Sequence, residues 1–106
     1  MVETADPAHP WLTSEIEDLC RAVASLRSVE EIGRFLRDLC TLSELEAMAH
    51  RWKVARLLDQ GLPYLEVAER TGASTTTVTR VAQWLRNGEG GYRAALDRTK
   101  RAGRSS

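Results

Sequence analysis

The chain has 106 residues, with 15 basic and 15 acidic side chains, and is long enough for one small domain. It has no apolar run that could span a membrane, and its first ten residues, MVETADPAHP, lack the basic and apolar regions of a secretory signal, so we expect a cytoplasmic protein. Its charge is segregated: residues 1–50 carry ten acidic and four basic side chains, and residues 51–106 carry five acidic and eleven basic. A basic half favours a polyanionic partner, and the alternative is chance segregation with a solvated basic tail.

Residues 1–12 include two prolines and are expected to be flexible. The next three segments each begin with a serine followed three residues later by a glutamate, the pattern of a capping box at a helix N-terminus. The pairs are Ser14 with Glu17, Ser28 with Glu31 and Ser43 with Glu46. Apolar residues at helical spacing follow each box, so the sequence predicts helices over residues 15–26, 29–40 and 44–60. Cys20 and Cys40 fall on apolar faces and are interpreted as small buried side chains rather than as a disulfide.

Residues 62–88 have the spacing of a helix-turn-helix, with predicted helices over 64–70 and 75–86. The small Ala68 allows the two helices to cross closely, and Gly72 supplies the positive φ of the turn. Val67, Val78 and Val81 are predicted to fill the core that the two helices share. A glycine-rich joint, GEGG, separates this motif from a last predicted helix over 92–100 and a disordered tail over 101–106.

The second of these helices begins in a segment with unusually many hydroxyl side chains, RTGASTTTVTR. Threonine costs a helix only a few tenths of a kcal/mol per residue, whereas a good base contact adds roughly 1–3 kcal/mol to DNA discrimination. We therefore interpret it as a recognition helix capped by Ser74, and exposure of threonines by accident is the alternative. The predicted DNA-binding residues are Tyr64, Ser74, Thr75, Thr76, Thr79, Arg80 and Gln83, with phosphate contacts from Arg51, Lys53, Arg86 and the tail.

Residues 42–92, LSELEAMAHRWKVARLLDQGLPYLEVAERTGASTTTVTRVAQWLRNGEGGY, resemble the Trp-repressor superfamily, and most closely its YerC/YecD branch, whose members share a TGAST…RV…L…G.GGY run. The resemblance implies an all-helical, intertwined homodimer that presents two DNA-reading heads to successive major grooves. Residues 13–100 would form one helical domain, with dimerisation helices over 13–61. Three amphipathic helices also cannot easily bury their apolar faces within one subunit of this size. A two-fold dimer prefers a palindromic site with half-sites about 34 Å apart.

The same resemblance implies a place for an effector. Arg51 and Arg80 match two arginines that sandwich the indole of bound tryptophan in the Trp repressor. The residue after the second arginine is glycine in that repressor and Val81 here, and its β-branched side chain argues against tryptophan as corepressor. Arg51 and Arg80 could instead serve phosphates or an internal ion pair.

The sequence contains no arrangement that we interpret as an enzyme active site or a cofactor site. Its histidines and cysteines lack the close spacing of zinc ligands, so no metal is expected. The alternative function is a helical protein–protein interaction module that uses the helix-turn-helix as a scaffold. Such a module should expose large apolar anchors, whereas residues 74–83 offer hydroxyls, an arginine and a glutamine. A DNA-binding piece of a sigma-type factor is disfavoured because the chain has its own dimer-like helices.

Overall fold

A computed structural model describes residues 8–101, which contain six helices and no β-strand. The helices are α1 (Ser14–Ser25), α2 (Val29–Leu39), α3 (Leu42–Asp59), α4 (Tyr64–Thr71), α5 (Thr75–Asn87) and α6 (Gly91–Arg101). The predicted all-α class with about six helices is therefore confirmed. None of the helices in this described range is long and apolar enough to cross a membrane. The chain divides after Leu42 into two compact units, which are described separately.

The termini fall partly outside the described residues. Of the predicted flexible N-terminus, residues 1–7 lie outside, and residues 8–12 form a turn in which the Leu12 amide donates to the His9 carbonyl over 2.9 Å. Of the predicted disordered tail, residues 102–106 lie outside. Arg101, which was predicted to belong to the tail, is instead the last residue of α6, so the helix ends one residue later than predicted.

The first unit contains α1 and α2, whose N-termini are capped by side chains. Ser28 accepts a hydrogen bond from the Glu31 amide over 3.0 Å, as the capping box predicts. The Glu31 carboxylate, however, accepts from the amide of Arg27, one residue before the cap. At α1 the predicted cap is wrong by one residue: Thr13 has the extended backbone of a cap and accepts from the Ile16 amide over 3.2 Å, while Ser14 is already helical.

The third predicted capping box is also wrong. Helix α3 begins at Leu42, so Ser43 lies inside its first turn. A residue with helical backbone dihedrals cannot act as the N-cap, because the cap residue must be extended to turn its side chain back onto the first amides.

The apolar faces of α1 and α2 remain incompletely covered. Neither helix has a buried residue, and Ile16, Leu19 and Leu39 are exposed. Cys20 is also exposed and Cys40 is half-buried, and both are free thiols. The prediction that both cysteines are buried is therefore wrong for Cys20, because α1 carries its apolar face without a covering layer within the described chain.

The second unit holds the hydrophobic core. Helices α3, α4 and α5 contribute the residues with no exposed surface, which are Val54, Ala55, Val67, Val78 and Val81. The helix-turn-helix core positions predicted from spacing are thus confirmed. On α3 the burial is confined to the C-terminal half of the helix, whereas the apolar residues Met48 and Ala49, nearer its start, are exposed.

Helix α6 contacts α3 through ion pairs and through one pair of stacked aromatic rings. The Asp59 carboxylate lies 3.0 Å from the Arg93 guanidinium and 2.7 Å from the Lys100 ammonium. Burial opposes ionisation of Asp59, but hydrogen bonds from Lys100 and Arg93 and their positive charges outweigh it and lower the pKa of the carboxyl. The ring of Tyr92 stacks on Trp52 with centroids 6.3 Å apart. These contacts make α6 part of the unit that carries the helix-turn-helix.

Candidate nucleic-acid interface

The turn between α4 and α5 is built by one glycine and one threonine. Gly72 has φ of +77°, in the left-handed region that favours glycine, and its amide donates to the Ala68 carbonyl over 2.8 Å. The hydroxyl of Thr71 donates to the Val67 carbonyl over 2.8 Å and accepts from the Ala73 amide over 3.1 Å. The turn therefore has a defined geometry that sets the angle between the two helices.

Ser74 is the N-cap of α5, as predicted. Its hydroxyl oxygen accepts from the Thr77 amide over 3.1 Å, and its hydroxyl donates to the Thr77 side chain over 3.1 Å. Three hydroxyl residues of this segment, Thr71, Ser74 and Thr77, thus form the turn and the cap. Sequence reasoning did not identify Thr71 or Thr77, because spacing alone does not separate hydroxyls that build the backbone from those that face outward.

The remaining polar residues of α5 lie on one exposed face. The predicted outward-facing residues Thr75, Thr76, Thr79, Arg80 and Gln83 are all exposed, opposite the buried side of the helix. Spacings of three and four residues bring their side chains together. Arg80 is the only charged residue between positions 75 and 83, so the face presents short hydroxyls, one cation and one amide.

Tyr64 and Arg86 are brought together by the fold. They lie 22 residues apart, and the Arg86 Nη1 donates to the Tyr64 hydroxyl over 2.9 Å. Tyr64 is the first residue of α4 and is 40% exposed, while Arg86 is exposed in the last turn of α5. Because seven residues make nearly two turns, Arg86 lies on the same side of α5 as Thr79, about 10 Å along the axis.

Arg51 and Arg80 line one pocket of about 260 Å³ between α3 and α5. Val81 and Trp84 form part of its wall, so the valine expected to obstruct tryptophan does lie at this cavity. Lys53, the other predicted phosphate contact on α3, is exposed but does not line the pocket. It follows Arg51 by two residues and so lies about 200° around the helix.

Two acidic side chains of α3 and α4, Asp59 and Glu66, are held in ion pairs. Glu66 pairs with Arg70 over 2.8 Å within α4, and Asp59 holds Arg93 and Lys100. Within residues 8–101 no group of three or more His, Cys, Asp or Glu side chains could hold a metal ion. The exposed face of α5 itself carries hydroxyls, an arginine and an amide.

Comparison with known proteins gives the chain its family. A family profile described as Trp repressor protein matches residues 14–100, which include α1 to α5 and nearly all of α6. The chain belongs to the Trp repressor family. This family consists of DNA-binding regulators of the helix-turn-helix type, and the resemblance inferred from residues 42–92 is confirmed.

Individual relatives agree with this assignment. The chain is 43% identical over 86 residues to the uncharacterized protein YerC of Bacillus subtilis (strain 168), and the match spans 81% of this chain and 83% of that protein. The crystal structure of a TrpR-like protein from Eubacterium eligens ATCC 27750 matches with a TM-score of 0.75 and 38% identity, over 80% of this chain and 88% of the other. A candidate Trp repressor from Staphylococcus aureus matches with a TM-score of 0.76 and 34% identity, over 82% and 87%.

Proposed function

We propose that the chain is a sequence-specific transcriptional regulator that binds a palindromic DNA site as a homodimer. The observation that carries this proposal is the outward face of α5, where three threonines, Arg80 and Gln83 are exposed opposite a fully buried valine side. Such a face suits the major groove, because short hydroxyls allow close approach and arginine and glutamine recognise base edges in pairs of hydrogen bonds.

In this proposal the interface residues divide by task. Thr75, Thr76, Thr79, Arg80 and Gln83 contact bases and adjacent phosphates. Arg51, Lys53 and Arg86 contact phosphates, which supplies most of the affinity and makes it depend on salt. Ser74 serves the interface by fixing the first turn of α5, since its hydroxyl donates to the Thr77 side chain and accepts from the Thr77 amide.

The homodimer is supported by the apolar faces that the chain leaves open. Helices α1 and α2 have no buried residue, although apolar residues recur at helical spacing along both. A second copy of the chain would cover these faces and place two α5 helices on one duplex. The dimer would separate an acidic body from two basic heads, which keeps the negative charge of residues 1–50 away from the phosphates.

The pocket between α3 and α5 is the place where we propose that an effector would bind. Two arginines in its wall suit a small anion, and Val81 argues against tryptophan. Isothermal calorimetry with L-tryptophan should therefore detect no binding. Saturable binding of L-tryptophan that Arg51→Ala abolishes would contradict the part of the proposal that concerns tryptophan.

A protein-interaction module is the second candidate function, because the second unit also exposes large apolar side chains, of which Leu65 and Trp84 are the most exposed. Leu65 is 70% exposed and Trp84 is 49% exposed, and such residues serve as anchors in protein interfaces. Under this reading the basic half of the chain would be incidental to function.

Selection from a random duplex library separates the two candidates. We expect a subset of duplexes to bind with nanomolar to tens-of-nanomolar Kd near physiological salt, and to contain two inverted half-sites one helical turn apart. Light scattering on the same preparation should report a dimer. Binding that is weak, uniform across sequences and lost by about 0.2 M salt would contradict the proposal and favour the interaction module.

A further inference from the structure

We propose that Tyr64 is a positioning residue that holds the Arg86 guanidinium ready for a backbone phosphate. Tyr64 acts through Arg86 rather than by its own contact with DNA. This inference rests on the proposed function, and it assigns a specific task to a hydrogen bond between two helices of the interface.

The geometry of the pair leaves Arg86 able to bind. A guanidinium has five N–H donors, and the Tyr64 hydroxyl takes one of them, at Nη1, over 2.9 Å. Four donors remain, which is enough for the paired hydrogen bonds that arginine makes to phosphate. Both side chains are exposed, so a phosphate can reach the guanidinium.

The neutrality of its partner distinguishes Arg86 from Arg70 and Arg93, the arginines of this unit that the described residues hold in ion pairs. Arg70 is held by the carboxylate of Glu66, and Arg93 by the carboxylates of Asp59 and Asp97. Their positive charge is already compensated. Arg86 makes no ion pair with any residue in the described range, and a hydroxyl fixes its position without cancelling its charge. It is thus both oriented and still attractive to an anion.

The hydrogen bond also fixes where the phosphate contact lies. It joins the first residue of α4 to the last turn of α5, so the guanidinium is tied to both helices of the motif. A long exposed side chain with no partner loses rotamer freedom when it binds, and fixing it beforehand reduces that loss. Because Arg86 lies on the same side of α5 as Thr79, the phosphate contact would set the register of the base-reading face.

The test is a double-mutant cycle with the full-length chain and a fluorescein-labelled duplex obtained from the library selection. The Kd and its dependence on salt are measured for the wild type, Tyr64→Phe, Arg86→Ala and the double variant. We expect Tyr64→Phe to weaken binding by about three- to tenfold, the range of one net hydrogen bond. Arg86→Ala should weaken binding more and reduce the slope of log K against log salt by about 1.

The decisive comparison is the double variant, which should bind like Arg86→Ala alone because Tyr64 has nothing left to position. Tyr64→Phe should also reduce the salt slope, which loss of a direct contact from a neutral hydroxyl would not do. Tyr92→Phe is the matched control, because the Tyr92 hydroxyl has no hydrogen bond to a described residue, and it should leave both quantities unchanged.

Each contrary outcome has one meaning. Additive losses in the cycle with an unchanged salt slope in Tyr64→Phe would show a direct DNA contact and overturn the inference. A loss of thermal stability in Tyr64→Phe without any change in Kd or slope would show a purely structural bond and overturn it as well. A wild-type chain that binds no duplex would overturn the proposed function itself, and this inference with it.

Discussion

Replacing Ser74 tests whether its hydroxyl caps α5 or touches DNA. In the structure the hydroxyl accepts from the Thr77 amide and donates to the Thr77 side chain. Ser74→Ala removes both bonds and leaves the amide without a cap. Loss of a serine cap costs about 1 kcal/mol on average, and the exposure of Ser74 favours this figure over the higher ones because water can reach the freed groups. For a domain of this size the change corresponds to a decrease in Tm of roughly 4–8 °C.

Two further variants at the same position separate stability from DNA binding. Ser74→Gly also lacks the hydroxyl but costs a helix only a few tenths of a kcal/mol, because glycine is itself tolerated at the cap. Ser74→Asp keeps an acceptor and adds a negative charge that favours a helix N-terminus but repels phosphates. We therefore expect thermal stability to follow the order Asp and wild type, then Gly, then Ala.

The assays are thermal unfolding by circular dichroism and fluorescence anisotropy on a selected duplex, at a temperature where every variant is folded. A capping role predicts that Ser74→Gly binds DNA nearly as well as the wild type and that only Ser74→Asp loses affinity strongly. Equal thermal stability of Ser74→Gly and Ser74→Ala would refute the capping role. A loss of DNA affinity by the same large factor in both variants would also refute it, because the main role of the hydroxyl would then be a direct contact with DNA.

Three other sets of variants test the turn between α4 and α5, the ion pairs between α3 and α6, and the exposed face of α5. Gly72→Ala forces an alanine to φ of +77° and should destabilise the fold by about 1–3 kcal/mol in chemical denaturation. The matched variant Gly33→Ala lies in the middle of α2, where an added Cβ meets no atom within 4 Å, and it should stabilise the fold by about 0.5–1 kcal/mol. The pKa of the Asp59 carboxyl is lowered from 3.8. Its contribution to stability is therefore fully present above pH 3.8 and is lost as the pH falls through the folded-state pKa. Asp59→Asn should accordingly flatten the acid side of a Tm-against-pH profile. Thr79→Ala and Arg80→Ala should each weaken specific binding while the dimer stays folded by light scattering, and unchanged affinity and sequence preference in both would exclude α5 as the recognition helix.

The sequence predicted the helix-turn-helix well because its signals are local and redundant. Val67, Val78 and Val81 recur at helical spacing around a glycine, and each has no exposed surface in the structure. The left-handed Gly72 follows from the same pattern, since only glycine adopts that conformation without strain.

The helix starts were predicted less well because neighbouring residues compete for the cap. Thr13 stands directly before Ser14, and either hydroxyl is a good cap, so the sequence alone does not choose between them. At α3 the chain becomes helical before Ser43, and the serine that resembles a cap has no capping role.

Two features of the candidate site could not be predicted from local pattern. Tyr64 and Arg86 are 22 residues apart, and their hydrogen bond depends on the crossing of α4 and α5. The pocket that joins Arg51 to Arg80 likewise arises from the packing of α3 against α5, although the family resemblance did relate those two arginines to one site.

The ratio of two dissociation constants tests the central claim most directly. The Kd of the wild-type chain is measured by fluorescence anisotropy at about 0.15 M salt for the selected duplex and for a duplex of the same composition with both half-sites scrambled. If α5 reads base edges, the selected duplex should bind at least about 10³-fold more tightly. Equal constants for the two duplexes would contradict the claim that this chain recognises a DNA sequence.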